Sequence, residues 1–480
     1  MDKTKYADIF QIVYLLAPFF VVFVMAVFQN IKNPVYIRRI LRIFFCFELV
    51  LFFVSELFTK SSEFYIGNIH FITNSQDKIL IYISIFCFLL FVSFSKTLVK
   101  FAKKQFYLIL VLLFGVLNLF VMSNNINVSL ISLFWLILIK FLVSNIALKE
   151  NIDKQELKKH CALDFACYFV GISLICYDFL RYFVLNDIPF EFSNVSKYFS
   201  HINDTAIEVT FLGFLVLIFS LLGFLNTFNK YNKIFTKLPI YNISISVFVQ
   251  FIAGVSLLFK VYNSFDYLFY QYQNAISIFV LLVVLYNTII SFKQSNLFSC
   301  INSIFIGNIF IGIFSIFAFS KVGSFFAFYY FVVLIASYIP LLFVFSYLEN
   351  TFNTKYIEDF KKINDKTNTV QLNILFFLLN FAKLPISSNF LSFLVLFLTI
   401  NSIEYDNIFL KSLPCVFLVC MIIFGISCLN LVYKILIEPV ESDKNRHILL
   451  NHQKVVFASF FVFLYVLLFA VQSFMSNFKL

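Results

Sequence analysis

Leu379-Asn380-Phe381-Ala382-Lys383-Leu384-Pro385-Ile386-Ser387-Ser388-Asn389-Phe390 is the stretch that decides how this chain folds. It lies inside an apolar run, 371–400, that is too long for one simple membrane crossing, which takes about 20 residues. Pro385 removes a backbone donor and breaks a helix. In hydrocarbon such a break survives only where it is packed in protein or lines a cavity. Lys383 sits two residues before the proline, and Asn380, Ser387, Ser388 and Asn389 surround it. No other apolar run of the chain carries so polar a patch.

The rest of the chain has the same character. It is 61% hydrophobic and only 13% charged, whereas soluble domains are nearer half apolar and about a quarter charged. Such a chain needs lipid as solvent. Apolar runs fall at 9–29, 40–59, 78–97, 106–123, 127–147, 161–181, 208–228, 241–260, 273–292, 299–320, 324–347, 371–400, 408–436 and 454–475. The expected fold is all-α and polytopic, with about fourteen transmembrane helices and a broken twelfth. The first run has no clear small-residue cleavage site and reads as a span rather than a signal peptide. One integral membrane domain is expected over 1–480, with N-terminal helices in 1–100, a core in 101–400 and C-terminal helices in 401–480.

The formal charge of +11 could suggest nucleic acid, but the cations sit in short loops between apolar runs. Of the 36 Lys and Arg, 24 fall in loops after odd-numbered spans and 10 in the even loops and termini; Lys140 and Lys383 lie within spans. The positive-inside rule puts the odd loops in the cytoplasm or matrix and both termini on the outer face. The outer segments 60–77 and 182–204 are amphipathic, with a hairpin expected near Tyr65 to Thr73. Abundant Phe, Ile, Asn and Lys fit an AT-rich genome. A bacterial inner membrane or a mitochondrial inner membrane is the expected location.

Catalytic chemistry is hard to find. His70, His160, His201, His447 and His452 all lie in or beside loops and read as solvated, none at metal-ligand spacing with Cys or carboxylate. The Cys residues are scattered without a CxxC pair and read as small buried hydrophobes. No metal, no cofactor and no catalytic residue is expected. The informative residues are ionisable groups at membrane depth, which are expensive there and mark ion pathways. They are Lys383, Lys140, Asp164 and Glu48. Asp164 opens the sixth span, where it reads as snorkelling to the headgroups or as a candidate partner for Lys140, since the short 148–160 loop makes their helices neighbours. Glu56, nearer a span end, reads as snorkelling to the headgroups.

Around Pro385 the chain resembles the LSLAGIPPLAGF signature of antiporter-like complex I subunits. These are the proton-channel subunits of NADH-quinone oxidoreductase, related to Mrp-type cation/proton antiporters. Ile252-Ala253-Gly254 with a cation at Lys260 resembles the family's eighth span. Gln294-Ser295-Asn296-Leu297 is similar to its QTNLKRLLAYSS stretch, and Lys158 to Gly171 to its ALKYFLLG start of the sixth span. Asp359-Phe360-Lys361-Lys362 is similar to its Asp-Leu-Lys-Gly loop. The likeness covers about 90–440 and is closest to the N-type subunit (mitochondrial subunit 2-like).

The resemblance implies an antiporter-like inverted-repeat fold. It implies a non-catalytic membrane subunit of a complex I or Mrp-like assembly, with other membrane subunits and lipid as partners and quinone nearby. The family's titratable row is largely absent, however. Its fifth-span Glu falls near Leu136, its seventh-span Lys near Leu221, its eighth-span Lys on Phe251 and its twelfth-span Lys on Phe393. The cytoplasmic Lys falls near Phe298. Lys383 stands ten residues before Phe393, about 15 Å along a continuous helix, and is not expected to restore the row. Proton translocation is therefore expected to be reduced or lost. The alternatives are an independent cation/proton antiporter or other secondary transporter, and a membrane-embedded lipid or glycan transferase.

The orientation can be tested directly. Single-cysteine probes near Asn125, Asn194 and Asn401 are expected to react with an impermeant maleimide from the outer side, and probes near Lys154 or Lys362 are not. Labelling of the first three from the inner side alone would reverse the assignment.

Overall fold

The computed structural model describes residues 3–27, 33–58, 63–66, 69–98, 104–147, 151–176, 190–199, 205–227, 238–318, 321–352, 356–357, 368–385, 387–401 and 408–437. Its helices are α1 (Lys3–Val27), α2 (Pro34–Phe58), α3 (Ser75–Leu98), α4 (Lys104–Met122), α5 (Ile126–Ala147), α6 (Asn151–Cys176), α7 (Phe192–Phe199), α8 (Thr205–Leu221), α9 (Ile240–Ser264), α10 (Asp266–Gln271), α11 (Gln273–Lys293), α12 (Leu297–Ala318), α13 (Lys321–Phe352), α14 (Asn368–Phe381), α15 (Ser388–Asn401) and α16 (Ile408–Val432). A two-stranded antiparallel hairpin, β1 (Glu63–Ile66) and β2 (Ile69–Ile72), follows α2.

Among the described residues ten helices are long and apolar enough to cross a bilayer, and the protein is a multi-pass membrane protein. The other three described spans expected from sequence take special forms. α2 carries Arg38, Arg39, Arg42, Glu48 and Glu56. α8 is short and is followed by a 3-10 turn at Phe224–Thr227. The twelfth span is two half-helices, α14 and α15. Segment 454–475 lies outside the described residues, as do His201, His447 and His452. α6 begins at Asn151, ten residues before the expected edge, so His160 belongs to a helix rather than a loop.

Local sequence signals set the helix starts. Asn33 caps α2 through Val35 N at 2.9 Å, with Pro34 at the first helical position, where its missing donor is harmless. Asn125 and Asn296 cap α5 and α12 in the same way.

By contact density the chain forms two compact units, Met1–Leu225 with Ile245–Phe269, and Asn226–Ser244 with Tyr270–Leu480. In the first, α1 packs on α2 and α4, α2 on α3, α4 on α5, and α6 on α5 and α8. In the second, α12 packs on α11 and α13, and α13 packs on α14 and α15, with α16 against α11 and α14. α12 and α13 are strongly apolar and almost wholly buried.

The hairpin is tied down in the first unit by a polar cluster. His70 is buried, contrary to the solvated reading. Its Nδ1 lies 3.2 Å from Glu191 Oε2, and its ring stacks on Tyr65 with centroids 4.4 Å apart. Asn124 Nδ2 donates to Glu191 Oε2 at 3.2 Å and to Ser193 Oγ at 2.9 Å. Glu63 reaches His70 Nε2 only at 3.8 Å and is mostly exposed. Glu191→Gln is therefore expected to lower stability by about 1–3 kcal/mol, because it weakens a buried hydrogen-bonded charge. Glu63→Gln should change it by less than about 0.5 kcal/mol. Thermal melting of the two variants in mild detergent checks the ranking.

Candidate functional site at the broken helix

The interruption between α14 and α15 is built from hydrogen bonds. Lys383 N donates to Asn380 O at 3.1 Å and Leu384 N to Leu379 O at 3.4 Å. This pair of bonds is the Schellman ending of a helix. The motif needs a left-handed residue, usually Gly, and here it is Lys383 with φ 57°. A side chain in that conformation costs about 1–2 kcal/mol. Pro385 then bars the helix from resuming at once. Ser387 caps α15 from just before its first residue, its Oγ accepting from Phe390 N at 3.1 Å. The Asn380 side chain spans the gap: its Oδ1 accepts from Asn389 N and from Ser388 Oγ, both at 3.2 Å. Asn389 Nδ2 donates to Ser337 Oγ on α13 at 2.7 Å. On α16, Gly425 approaches the turn so closely that a Cβ there would stand 3.0 Å from the Ala382 carbonyl oxygen.

The reversal of the backbone sends the Lys383 side chain into the second unit. Its Nζ donates to Asn308 Oδ1 of α12 and to Tyr330 Oη of α13, both at 2.7 Å, and lies 3.2 Å from Met421 Sδ of α16. Tyr330 Oη in turn donates to Asn308 Oδ1 at 2.9 Å. The ammonium also lies 4.6 Å from the ring centroid of Phe393 on α15 and 4.7 Å from that of Tyr330. Helices α12, α13, α15 and α16 thus converge on one charge. No carboxylate pairs with it among the described residues. It is held by dipoles and aromatic faces.

This geometry corrects the sequence reading. The 15 Å separation of Lys383 from Phe393 assumed a continuous helix. The left-handed turn folds Lys383 back, and its ammonium comes to lie 4.6 Å from the centroid of the Phe393 ring. Leu136, Leu221, Phe251 and Phe298, the other positions singled out by the sequence resemblance, are buried apolar side chains.

The first unit holds the remaining candidates. Lys140 Nζ meets Asp164 Oδ2 at 2.7 Å between α5 and α6, both side chains nearly buried. Glu48 is fully buried in α2, and neither carboxylate oxygen has a hydrogen-bond partner. The sequence reading counted Lys260 among the ten cations of the even loops and termini and singled it out only as the cation of the stretch resembling an eighth span. Lys260 lies inside α9, and its Nζ donates to Phe120 O at 2.7 Å and Ser123 O at 2.8 Å. It caps the carbonyl end of α4. Only its place in an apolar helical run could have signalled this. Among the described residues no group of three or more His, Cys, Asp and Glu could hold a metal.

No protein-family profile matches the chain, and no curated protein matches it in sequence. Its fold is shared with solved structures. A chain of respiratory complex I from Thermus thermophilus with bound NADH matches with a TM-score of 0.78 and 13% identity, covering 95% of this chain and 94% of that one. A chain of the membrane-bound sulfane sulfur reductase, an archaeal respiratory membrane complex, matches with a TM-score of 0.78 and 13% identity over 97% and 95%. A chain of the Mrp complex from Dietzia sp. DQ12-45-1b matches with a TM-score of 0.72 and 11% identity over 93% and 82%. The protein therefore shares its fold with chains of these membrane complexes, and at this identity the likeness speaks for fold alone.

The Lys140–Asp164 pair separates pairing from charge. Lys140→Met or Asp164→Leu alone strands a buried charge and is expected to destabilise by about 3–5 kcal/mol, while the double variant should recover most of that loss. Melting of the three variants against wild type measures the coupling.

Proposed function

We propose that the protein is a divergent antiporter-like subunit of a respiratory-complex or Mrp-type membrane assembly, whose ion handling is concentrated at Lys383. One observation carries this reading: the left-handed turn at Lys383 brings its ammonium to 4.6 Å from the Phe393 ring, among neutral partners from several helices. A lysine held by neutral partners and no carboxylate can release and regain a proton without breaking an ion pair. Tyr330 Oη accepts from the ammonium and is the one hydroxyl among its partners able to exchange a proton with it, while Asn308 Oδ1 accepts from both and orients them. Asn380 Nδ2 and Asn389 Oδ1, a buried donor and acceptor at the break without protein partners, add hydrogen-bonding capacity for waters.

In this reading the chain sits as one integral domain in a bacterial or mitochondrial inner membrane with both termini outward. It packs against other membrane subunits, and quinone chemistry belongs to those partners. The apolar residues at Leu136, Leu221 and Phe251 support reduced translocation, because Leu and Phe cannot carry a proton through hydrocarbon. Lys140 and Asp164 serve as a structural pair, and Lys383 as the working charge.

Two measurements test the proposal. Purified in mild detergent, the protein is expected to run in a large complex on a native gel; migration alone would favour a free cation/proton antiporter. In reconstituted vesicles of that complex, Lys383→Met should reduce proton-coupled flux by at least about tenfold, the loss expected when one proton carrier is removed. Unchanged flux from a folded, assembled variant would sink the assignment of Lys383.

A further inference from the structure

Three segments meet at the hairpin end of the first unit, laced together by backbone hydrogen bonds. Asn124 N donates to His70 O at 3.2 Å, Phe192 N to Asn124 O at 3.0 Å and Ile126 N to Phe190 O at 3.0 Å. Phe71 pairs with Ser123, and Asn125 with Glu191, in antiparallel bridges. β2, the α4–α5 connection and the segment entering α7 thus form one small cap, with His70 in it. From β1, Glu63 approaches the same imidazole.

The two ring nitrogens have different surroundings. Nδ1 lies 3.2 Å from Glu191 Oε2. A carboxylate only accepts, so this nitrogen carries the hydrogen; a bare Nδ1 would set lone pair against lone pair. Asn124 Nδ2, 3.3 Å from Nδ1, does not compete, because its two hydrogens have takers in Ser193 Oγ and Glu191 Oε2. This network assigns the tautomer. In the neutral ring Nε2 is then the bare acceptor. It is buried, closed to water, and has no hydrogen-bond partner. Facing it at 3.8 Å is Glu63 Oε2, a second acceptor. One proton on Nε2 satisfies both. It makes the nitrogen a charged donor, and the Glu63 side chain, 58% exposed, is free to swing in to the roughly 2.8 Å of a charge-assisted bond.

We propose that His70 is a proton-binding site that works as a clasp on the hairpin. A proton taken from the aqueous phase at this end, by way of the exposed Glu63 carboxylate, settles on Nε2 and locks β1 to the cap; its departure releases β1. The weak contact of Glu63 described above is that of the neutral imidazole. The inference does not depend on the role given to Lys383.

Among the described residues, the other charged or titratable groups at this end are accounted for. Tyr65 of β1 stacks on the imidazole, the rings within 5° of parallel, and fixes its plane. Asp77 of α3 accepts from Asn74 N at 3.2 Å. Lys260 of α9 is held by the carbonyls of Phe120 and Ser123, and Lys78 of α3 pairs with Glu56 of α2 at 3.4 Å. An imidazole ordinarily changes charge between about pH 5 and 8, and a Glu carboxylate is ordinarily ionised above about pH 4.3. The clasp therefore tightens as pH falls from about 8 to about 5, and loosens as it rises.

The test follows hydrogen exchange in the 63–72 peptide by mass spectrometry, in the full-length protein as it purifies in mild detergent. Wild type and Glu63→Gln are compared at equal pH, so that the chemical exchange rate cancels. At about pH 5 wild type is expected to exchange about tenfold more slowly than Glu63→Gln, the weight of one hydrogen bond to a charged group. At about pH 8 the two should match. His70→Gln keeps a polar side chain but takes no charge and should remove the difference at every pH, while Asp77→Asn should leave it in place. Equal exchange of wild type and Glu63→Gln at both pH values, or a difference that grows as pH rises, would overturn the clasp. So would a difference that survives His70→Gln or vanishes in Asp77→Asn. If either of those two variants fails to fold, the comparison of wild type with Glu63→Gln still decides, since the exposed Glu63 side chain is not needed for folding at pH 8.

Discussion

Backbone N–H and C=O groups find no water in a bilayer core and must be satisfied within the protein. Everything distinctive in the second unit follows from meeting that demand at one gap. Between Phe381 and Ser388 the helical ladder stops, and orphan donors and acceptors face each other across the break. The Schellman bonds of Lys383 N and Leu384 N satisfy carbonyls of α14, and Asn380 Oδ1 with Ser387 Oγ satisfies donors at the start of α15. Leu384 and Pro385 at the turn are exposed, but its polar side chains reach α12, α13 and α16, so the packing of those helices and the chemistry of the break are one problem.

The architecture was legible because the bilayer simplifies the code. Length and hydropathy placed the spans, and Pro385 placed the interruption. The hairpin near Tyr65 was legible for the same reason, as an amphipathic segment between two spans. Side-chain destinations were much less so. Ten residues of separation between Lys383 and Phe393 translated into 15 Å only while the helix was taken as unbroken. One positive φ was enough to annul that distance, and no propensity scale foretells that a lysine will take a glycine's conformation. Lys260 misled because a cation at the edge of an apolar run looks like a loop residue; only the carbonyls of Phe120 and Ser123, far away in sequence, reveal its partner. His70 misled because Glu191 and Asn124 come from other segments.

Apolar residues in place of an ionisable row have an energetic meaning of their own. Buried Phe251, Phe298 and Leu136 need neither hydrogen bonds nor counter-charges, so the units can pack around them without hydrated cavities. Three lysines of the described interior are held in three ways: Lys140 by a carboxylate, Lys260 by backbone carbonyls, and Lys383 by neutral side chains.

The left-handed lysine has an evolutionary consequence. At a helix ending of this type glycine fits without strain, and asparagine nearly so. Mutation unopposed by selection would erode Lys383 toward those residues, because each such change relieves strain in the fold. The position thus works as a record of usage. In a lineage where the charge is needed, the strained residue persists against that drift; in one where it is not, a glycine should stand there with Pro385 and Asn380 still in place. Comparing the two outcomes across diverged copies would show where the charge is held against drift, independently of any flux measurement.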